Sequence, residues 1–170
     1  FEGMQVFTLN DQKSSNQKFI YYLHGGAWTS QPLDLHWLFM DNMAQSLDAK
    51  IIAPIYPKVP HYNYKDTYPK ILSLYKDIIG TIESTHQLTI MGDSAGGNIA
   101  LGLAQLLKNE NLPQPKDIIL LSACVDMSLE NPLIQEYEEN DPMLASEGME
   151  VITKIWAADK SLTDPLFSPI

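Results

Sequence analysis

Short uninterrupted apolar runs alternate along the chain with longer segments whose apolar residues recur every third or fourth position. The runs are FIYYL, KIIAPIYP, QLTIMG and KDIILLSACV. In YPKILSLYKDIIGTIEST, the residues Ile71, Leu74, Ile78 and Ile82 follow one another at steps of three and four. That spacing predicts an amphipathic helix. SAGGNIALGLAQLLKN predicts another helix, and a last one is expected over about residues 144–158.

The first part of the chain gives weaker signals. MQVFTLN alternates weakly and predicts a strand, and the polar segment DQKSSNQ after it predicts a turn. The segment from Pro32 to Leu47 is expected to be helical. Its apolar residues at roughly helical spacing are Leu35, Leu38, Met43 and Leu47.

Strand and helix therefore alternate, and the strands are apolar throughout rather than apolar on one side. Strands of this kind are typical of a parallel sheet that is covered on both faces. The predicted fold class is α/β, with a mostly parallel sheet between helices. Ligands of such sheets bind at the carboxyl ends of the strands.

Composition and charge narrow the classes of partner. The chain has 170 residues, a formal net charge of −10 and a pI near 4.6, so a phosphate backbone would repel it and nucleic acid is not an expected partner. No apolar run reaches the ~18 residues that a membrane span needs. Because Cys124 is the single cysteine, no internal disulfide can form, which favours a cytoplasmic location. The chain opens with Phe1 rather than Met, so the removal of an N-terminal leader is an open alternative.

The segment GDSAG at 92–96 fits the pattern G-x-S-x-G. An apolar strand precedes it and a helix follows it, which is the strand–turn–helix context that a serine nucleophile on a sharp turn requires. The small residues at its ends let the backbone turn where a Cβ would clash. The alternative is that Ser94 is the N-cap of an ordinary helix.

A second glycine motif, HGGAW at 24–28, follows the strand FIYYL and so also lies at a carboxyl strand end. Acyl transfer builds negative charge on the former carbonyl oxygen, and backbone N–H groups aimed at that oxygen stabilise it. A glycine-rich loop can present several such groups, and Ala95 can supply another. Taken alone, HGG could be a tight turn.

The motifs YYLHGGAW, LTIMGDSAGGNIAL, VDMS and DPLFSP together resemble the α/β-hydrolase superfamily, and most closely the hormone-sensitive-lipase-like bacterial esterases. The resemblance implies that the oxyanion hole is formed by Gly25, Gly26, Ala27 and Ala95, and that His24 is structural. The family usually has a third glycine where this chain has Ala27. That change keeps the N–H group but adds a methyl group near the acyl site.

The histidine that should activate the serine is missing from its usual place. In this fold the order is Ser, then Asp or Glu, then His, yet every histidine of the chain precedes Ser94: His24, His36, His61 and His86. His86 lies about 20 Å away, at the wrong end of its strand. His36 is expected to be a packing or exposed residue. His61 is the alternative base, although an exposed loop histidine is the simpler interpretation.

Three other residues near the motifs are expected to be structural. Asp93 is predicted to cap the helix that follows the elbow. Asp126 matches a family aspartate that is interpreted as structural. Cys124 is expected to be a buried, reduced residue.

The missing base predicts that residues 1–170 are the front portion of a single α/β-hydrolase domain, short at its C-terminal end. The segment TDPLFSPI resembles the part of the family just before the strand whose loop carries the triad acid. Residues 127–160 are then a helical segment near the lid. The triad Asp and His would lie outside this chain. The expected protein partners are the missing C-terminal part of the domain or a second copy of the chain.

The predicted function is a serine carboxylesterase that cleaves short- to medium-acyl esters through an acyl-enzyme on Ser94. The substrate is a small ester. No cofactor is expected, and no His, Cys and carboxylate grouping has the spacing of metal ligands. Two alternatives remain: an amide or peptide hydrolase, and a non-catalytic binding protein on a degenerate hydrolase fold, which the absent histidine favours.

Overall fold

The computed structural model describes residues 1–14 and 16–170. Ser15, in the predicted turn DQKSSNQ, lies outside the described residues. Within them the strands are β1 (Gln5–Leu9), β2 (Lys18–Leu23), β3 (Ala49–Ile55), β4 (Leu88–Asp93) and β5 (Asp117–Leu121). The α-helices are α1 (Asp34–Leu47), α2 (Tyr64–Thr81), α3 (Ser94–Asn109), α4 (Ile134–Glu138) and α5 (Ser146–Ala157), and a short 3-10 helix covers Thr85–Gln87.

The strands form one sheet in the order β1-β3-β2-β4-β5. β1 pairs antiparallel with β3, and the other pairs are parallel. This confirms the predicted α/β class with a mostly parallel sheet. Because β2 and β4 are parallel neighbours, with Leu23 beside Gly92, the two glycine motifs that follow them meet at one edge of the sheet.

β2 shows why the strands are apolar on both sides. Phe19, Tyr21 and Leu23 are buried in a core with α2 and α3, whereas Ile20 and Tyr22 are buried in a second core with α1. Successive side chains of a strand point to opposite faces, so a strand between two helical layers has no polar side.

The helix α2 buries the face that its periodicity predicts. Ile71, Leu74 and Ile78 are at most 4% exposed. Its N-terminus is closed by Asn63, whose side chain accepts a hydrogen bond from a backbone N–H of the first turn, while the Asp66 carboxylate accepts one from the Asn63 N–H. This reciprocal capping fixes where the helix begins.

The helix α1 differs from the expected pattern. Its fully buried residues are Met40 and Ala44. Three of its leucines are instead exposed: Leu35, Leu38 and Leu47. Met40 and Ala44 pack in the core formed with Tyr22 of β2 and Ile51 of β3, whereas the three leucines lie outside this core.

At the other end of the sheet, β5 is shorter than predicted. Ile119, Leu120 and Leu121 are each at least 37% exposed, and within the described residues no strand pairs with its outer side. The helix α4 lies within the segment 127–160, and α5 agrees with the predicted last helix. None of the helices in the described part of the chain has the length and apolar character that a membrane crossing requires.

Two helical glycines give a matched test of this packing. A Cβ on Gly102 of α3 would lie 2.1 Å from the Tyr68 hydroxyl oxygen, whereas a Cβ on Gly80 of α2 would meet nothing within 4 Å. Gly102→Ala should lower the free energy of unfolding by about 1–3 kcal/mol through overpacking. Gly80→Ala should raise it by about 0.5–1 kcal/mol, because alanine loses less entropy in a helix. Urea titrations of both variants check this, and equal shifts would contradict the packing described.

Candidate active site

The turn between β4 and α3 holds Ser94 in a strained conformation. Ser94 is the first residue of α3 and has a φ of 49°, in the left-handed region that non-glycine residues rarely adopt. Such strain costs of order 1–3 kcal/mol and is concentrated at functional sites. Its carbonyl oxygen accepts a hydrogen bond of 3.1 Å from the Cys124 N–H, which ties the turn to the segment after β5.

Glycine is required at both ends of this turn because backbone packs on backbone. A Cβ on Gly92 would lie 2.5 Å from the carbonyl carbon of Gly96. A Cβ on Gly96 would lie 2.0 Å from the Leu23 carbonyl oxygen at the end of β2. The first turn of α3 is therefore pressed against the end of β2, where the second glycine motif begins.

The loop after β2 is held in an unusual backbone conformation. Gly26, Ala27 and Trp28 have φ values of 117°, 49° and 56°. The Gly26 carbonyl accepts hydrogen bonds from Thr29 and Ser30, and the Trp28 carbonyl accepts one from the Val59 N–H. The Trp28 indole is fully buried and stacks on Trp156 of α5, with ring centroids 5.9 Å apart. The loop is thus a fixed element and not a simple tight turn.

Asp93 links this loop to the serine turn. Among described residues, its Oδ1 accepts hydrogen bonds from the Gly25 N–H at 2.9 Å and the Tyr22 hydroxyl at 2.8 Å. Its Oδ2 lies 3.1 Å from Nε2 of His36. Burial first, and then the Asp93 charge, raise the pKa of Tyr22, so the phenol stays a donor.

The prediction that the Asp93 side chain caps α3 is therefore wrong. Asp93 occupies the N-cap position, but in the described structure its carboxylate makes no capping hydrogen bond to α3. It is turned toward the loop and α1 instead. Neither Tyr22 nor His36 was expected to be its partner, since no motif in the sequence joins them.

The N–H groups of the loop divide into two sets. The Gly25 N–H, predicted as an oxyanion donor, is already bonded to Asp93. Within residues 1–14 and 16–170, the N–H groups of Gly26, Ala27 and Ala95 donate to no protein acceptor. These three backbone donors therefore have no acceptor among the described residues.

His24 is buried beneath the loop. Its Nδ1 lies 2.6 Å from the Gly25 carbonyl oxygen, and its ring stacks on Tyr56, whose hydroxyl donates to the His24 carbonyl at 2.6 Å. Its Nε2 has no partner among the described residues. Burial lowers the pKa of His24 to about 4, so the ring is neutral at pH 7.

The structure describes all four histidines, and none of them is hydrogen-bonded to the Ser94 hydroxyl. His61 is exposed in the loop after β3, and His86 is exposed beside the start of β4, at the opposite end of the strand from Ser94. His36 is half-buried and bonded to Asp93, which is neither the packing nor the exposed role that was expected.

Asp126 and Cys124 lie in the segment after β5. Asp126 Oδ1 accepts hydrogen bonds from the N–H and hydroxyl of Ser128 and from the Ser168 hydroxyl. The Ser128 hydroxyl is the main cause of its lowered pKa. Cys124 is a free, half-buried thiol whose pKa burial raises. In the described residues, no three His, Cys, Asp or Glu side chains are grouped as metal ligands.

A mainly apolar cavity of about 390 Å³ is lined in part by Cys124, whose N–H donates to the Ser94 carbonyl, whereas Ser94 and residues 25–27 do not line it. It lies between the segment after β5 and the helices α4 and α5. Among its lining residues are Leu129, Leu133, Ile134, Leu144 and Met149. Glu138 and Asp141 lie on its wall and bind backbone N–H groups of the segment before α5 and of its first residue.

The sheet, the strained serine and the loop beside it define the chain as an α/β hydrolase in architecture. A family model described as alpha/beta hydrolase fold matches residues 20–170. The match covers most of the chain, so the chain belongs to this family.

Several relatives are named as esterases or lipases. An esterase of Acinetobacter venetianus is 27% identical over 169 residues, which is 99% of this chain and 55% of the relative. A triacylglycerol lipase of Mycobacterium tuberculosis is 28% identical over 173 residues, with all of this chain and 34% of the lipase covered. The chain thus spans between about a third and just over half of these relatives.

Solved structures agree with the fold. The crystal structure of a proposed esterase from Staphylococcus aureus is 34% identical and has a TM-score of 0.91, covering 99% of this chain and 57% of that one. EstE7, a hormone-sensitive-lipase homologue from a metagenome library, is 22% identical and has a TM-score of 0.85. The alignment covers 99% of this chain and 61% of EstE7. The second likeness shows the fold alone.

The neutral, buried state of His24 predicts how stability depends on pH. Between about pH 4 and the ordinary histidine pKa near 6.5, the unfolded chain binds a proton that the folded chain does not. Stability from this group is therefore complete above about pH 6.5 and is lost as the pH falls toward 4. The loss between pH 7.5 and 5 should be about 2 kcal/mol.

The measurement compares urea unfolding of the protein and of His24→Asn at both pH values. The asparagine amide can replace the Nδ1 donor but does not titrate. The variant should lose less stability on acidification. An equal loss in the two proteins would show that His24 is not the group responsible.

Proposed function

We propose that the chain carries the nucleophile and oxyanion hole of a serine carboxylesterase. The observation that supports this best is Ser94 itself, strained at a φ of 49° between β4 and α3, beside a loop with unoccupied backbone donors. The Ser94 Oγ attacks the ester carbonyl carbon and its proton passes to a general base. The base returns this proton to the alkoxy group, which leaves as an alcohol, and water then hydrolyses the acyl-enzyme to release the acid and restore Ser94.

The oxyanion hole in this proposal is formed by the N–H groups of Gly26, Ala27 and Ala95. Gly25, whose N–H is bonded to Asp93, keeps the loop in place instead of contacting the oxyanion. Each donor of this kind is worth about 3 kcal/mol of barrier, because it is aimed before the charge develops. His24 supports the loop from below.

We propose that the general base and its acid come from residues other than those described here, in a domain of which residues 1–170 are the front part. The described histidines do not contact the Ser94 hydroxyl, and His24 and His36 already have structural partners. The relatives extend well past the matched length. The uncovered outer side of β5 is where further strands of the sheet would pair.

The substrate class in this proposal is an ester with a short to medium acyl chain. A cavity of about 390 Å³ is within the range of small-molecule sites, and its lining is mainly apolar. Residues 127–160, which include α4 and α5, form most of its walls and are proposed to lie at the entrance. Named relatives include an ethyl acetate hydrolase of Pseudomonas putida, 28% identical over 159 residues.

Removal of the nucleophile tests the reaction class. In the full-length protein, Ser94→Ala should abolish covalent labelling by a fluorophosphonate and lower hydrolysis of p-nitrophenyl butyrate by at least about 10⁴-fold. Ser46→Ala, an exposed serine on α1, is the matched control and should behave as the parent. Undiminished turnover by Ser94→Ala would overturn the assignment. Labelling of Ser94 in the parent protein without ester turnover would favour an amide substrate. Absence of labelling in the parent protein would favour a non-catalytic binding protein.

Filling the cavity tests the acyl site. Leu133 lines the cavity and is half exposed, so Leu133→Trp adds volume there without disturbing the core. The variant should lose about 10-fold or more in kcat/KM for p-nitrophenyl octanoate relative to acetate, because each excluded methylene is worth about 1 kcal/mol. Val151→Trp, at an exposed position of α5 outside the cavity lining, should leave this ratio unchanged. An unchanged ratio in Leu133→Trp would place the acyl chain elsewhere.

A further inference from the structure

His36 connects the first turn of α1 with the serine turn. It is the third residue of the helix, and its Nδ1 accepts a hydrogen bond of 2.9 Å from the Leu33 N–H. On the other side of the ring, Nε2 lies 3.1 Å from Asp93 Oδ2. The ring is well shielded, with 15% of the side chain exposed.

These two contacts together define the tautomer of the ring. A nitrogen that accepts from a backbone N–H carries no proton, so Nδ1 is the unprotonated nitrogen and Nε2 carries the hydrogen. His36 Nε2–H therefore donates to the Asp93 carboxylate. Turning the ring over would lose this hydrogen bond from the Leu33 N–H and place a ring carbon opposite it.

The contact with His36 is one of three hydrogen bonds from described residues that hold the Asp93 carboxylate. Within the described residues, Oδ2 has His36 as its hydrogen-bond partner, while Oδ1 receives Gly25 and Tyr22. A Cβ on Gly25 would lie 2.2 Å from Oδ2, so the loop also packs directly on this oxygen. A rotation of the carboxylate would move the Gly25 backbone with it, and Gly26 and Ala27 follow Gly25 in the chain.

We propose that His36 is a positioning residue for the oxyanion hole. It holds Asp93 Oδ2, which keeps Oδ1 on the Gly25 N–H and so aims the N–H groups of Gly26 and Ala27. This inference rests on the proposed function of Ser94. A displacement of about 1 Å in such a group can cost about 10²-fold in rate. Because oxyanion contacts strengthen in the transition state, the effect is on kcat and not on KM.

Two substitutions separate this role from helix capping. His36→Asn places an amide oxygen near the Nδ1 position, so it can still accept from the Leu33 N–H but is too short to reach Asp93. His36→Gln extends an amide NH₂ toward the Nε2 position and can still donate to Asp93. Asp41→Asn, at an exposed position of α1, is the control for a change on the same helix.

The experiment measures kcat and KM of the full-length protein on p-nitrophenyl butyrate, with the melting temperature of each variant. His36→Asn should lose about 10- to 100-fold in kcat, keep KM within about 2-fold and melt close to the parent. His36→Gln should recover most of the kcat, and Asp41→Asn should equal the parent. A parental kcat in His36→Asn would overturn the proposal, as would an equal loss in His36→Asn and His36→Gln.

A second readout does not depend on turnover. The amide ¹H shift of Gly25 in a ¹⁵N spectrum reports its hydrogen bond to Asp93. It should move upfield in His36→Asn and stay in place in His36→Gln. If the parent protein hydrolyses no ester, the proposed function fails, while this shift still tests the link: an unchanged Gly25 amide in His36→Asn would overturn it.

Discussion

The candidate site depends on one close approach of backbone to backbone. The first turn of α3 is pressed onto the end of β2, where Gly96 leaves no room for a Cβ against the Leu23 carbonyl. A Cβ on the next residue of α3, Gly97, would lie 2.6 Å from the Ala123 Cβ. A larger residue at either position would push the helix away from the sheet, and Ser94 would no longer lie beside the loop after β2.

The same approach gives Asp93 its role. It brings the carboxylate within hydrogen-bonding distance of groups from β2, the loop and α1. A half-buried carboxylate is stabilised by donors of this kind, and charge-assisted hydrogen bonds are about twice as strong as neutral ones. Packing therefore sets the distance between the two motifs, and Asp93 sets their relative orientation.

Features determined by local pattern could be predicted from the sequence. α2 buries Ile71 and Ile78 because period and burial agree, and the serine turn follows from its glycines. Features determined by distant residues could not. The partners Tyr22 and His36 lie 71 and 57 residues before Asp93. The buried stripe of α1 depends on which strands lie beneath the helix, and helix periodicity does not contain that information.

The shared carboxylate has a consequence for how this site can change. Substitutions at residues that contact Asp93 alter the surroundings of its other partners, so their effects on the fold and site are not expected to be additive. Because they share Asp93, Tyr22, Gly25 and His36 are expected to form an epistatic set, although they are scattered along the chain. A replacement at one of these positions is tolerated or rejected according to the residues at the other two. Changes at this site are therefore expected to accumulate as coordinated groups.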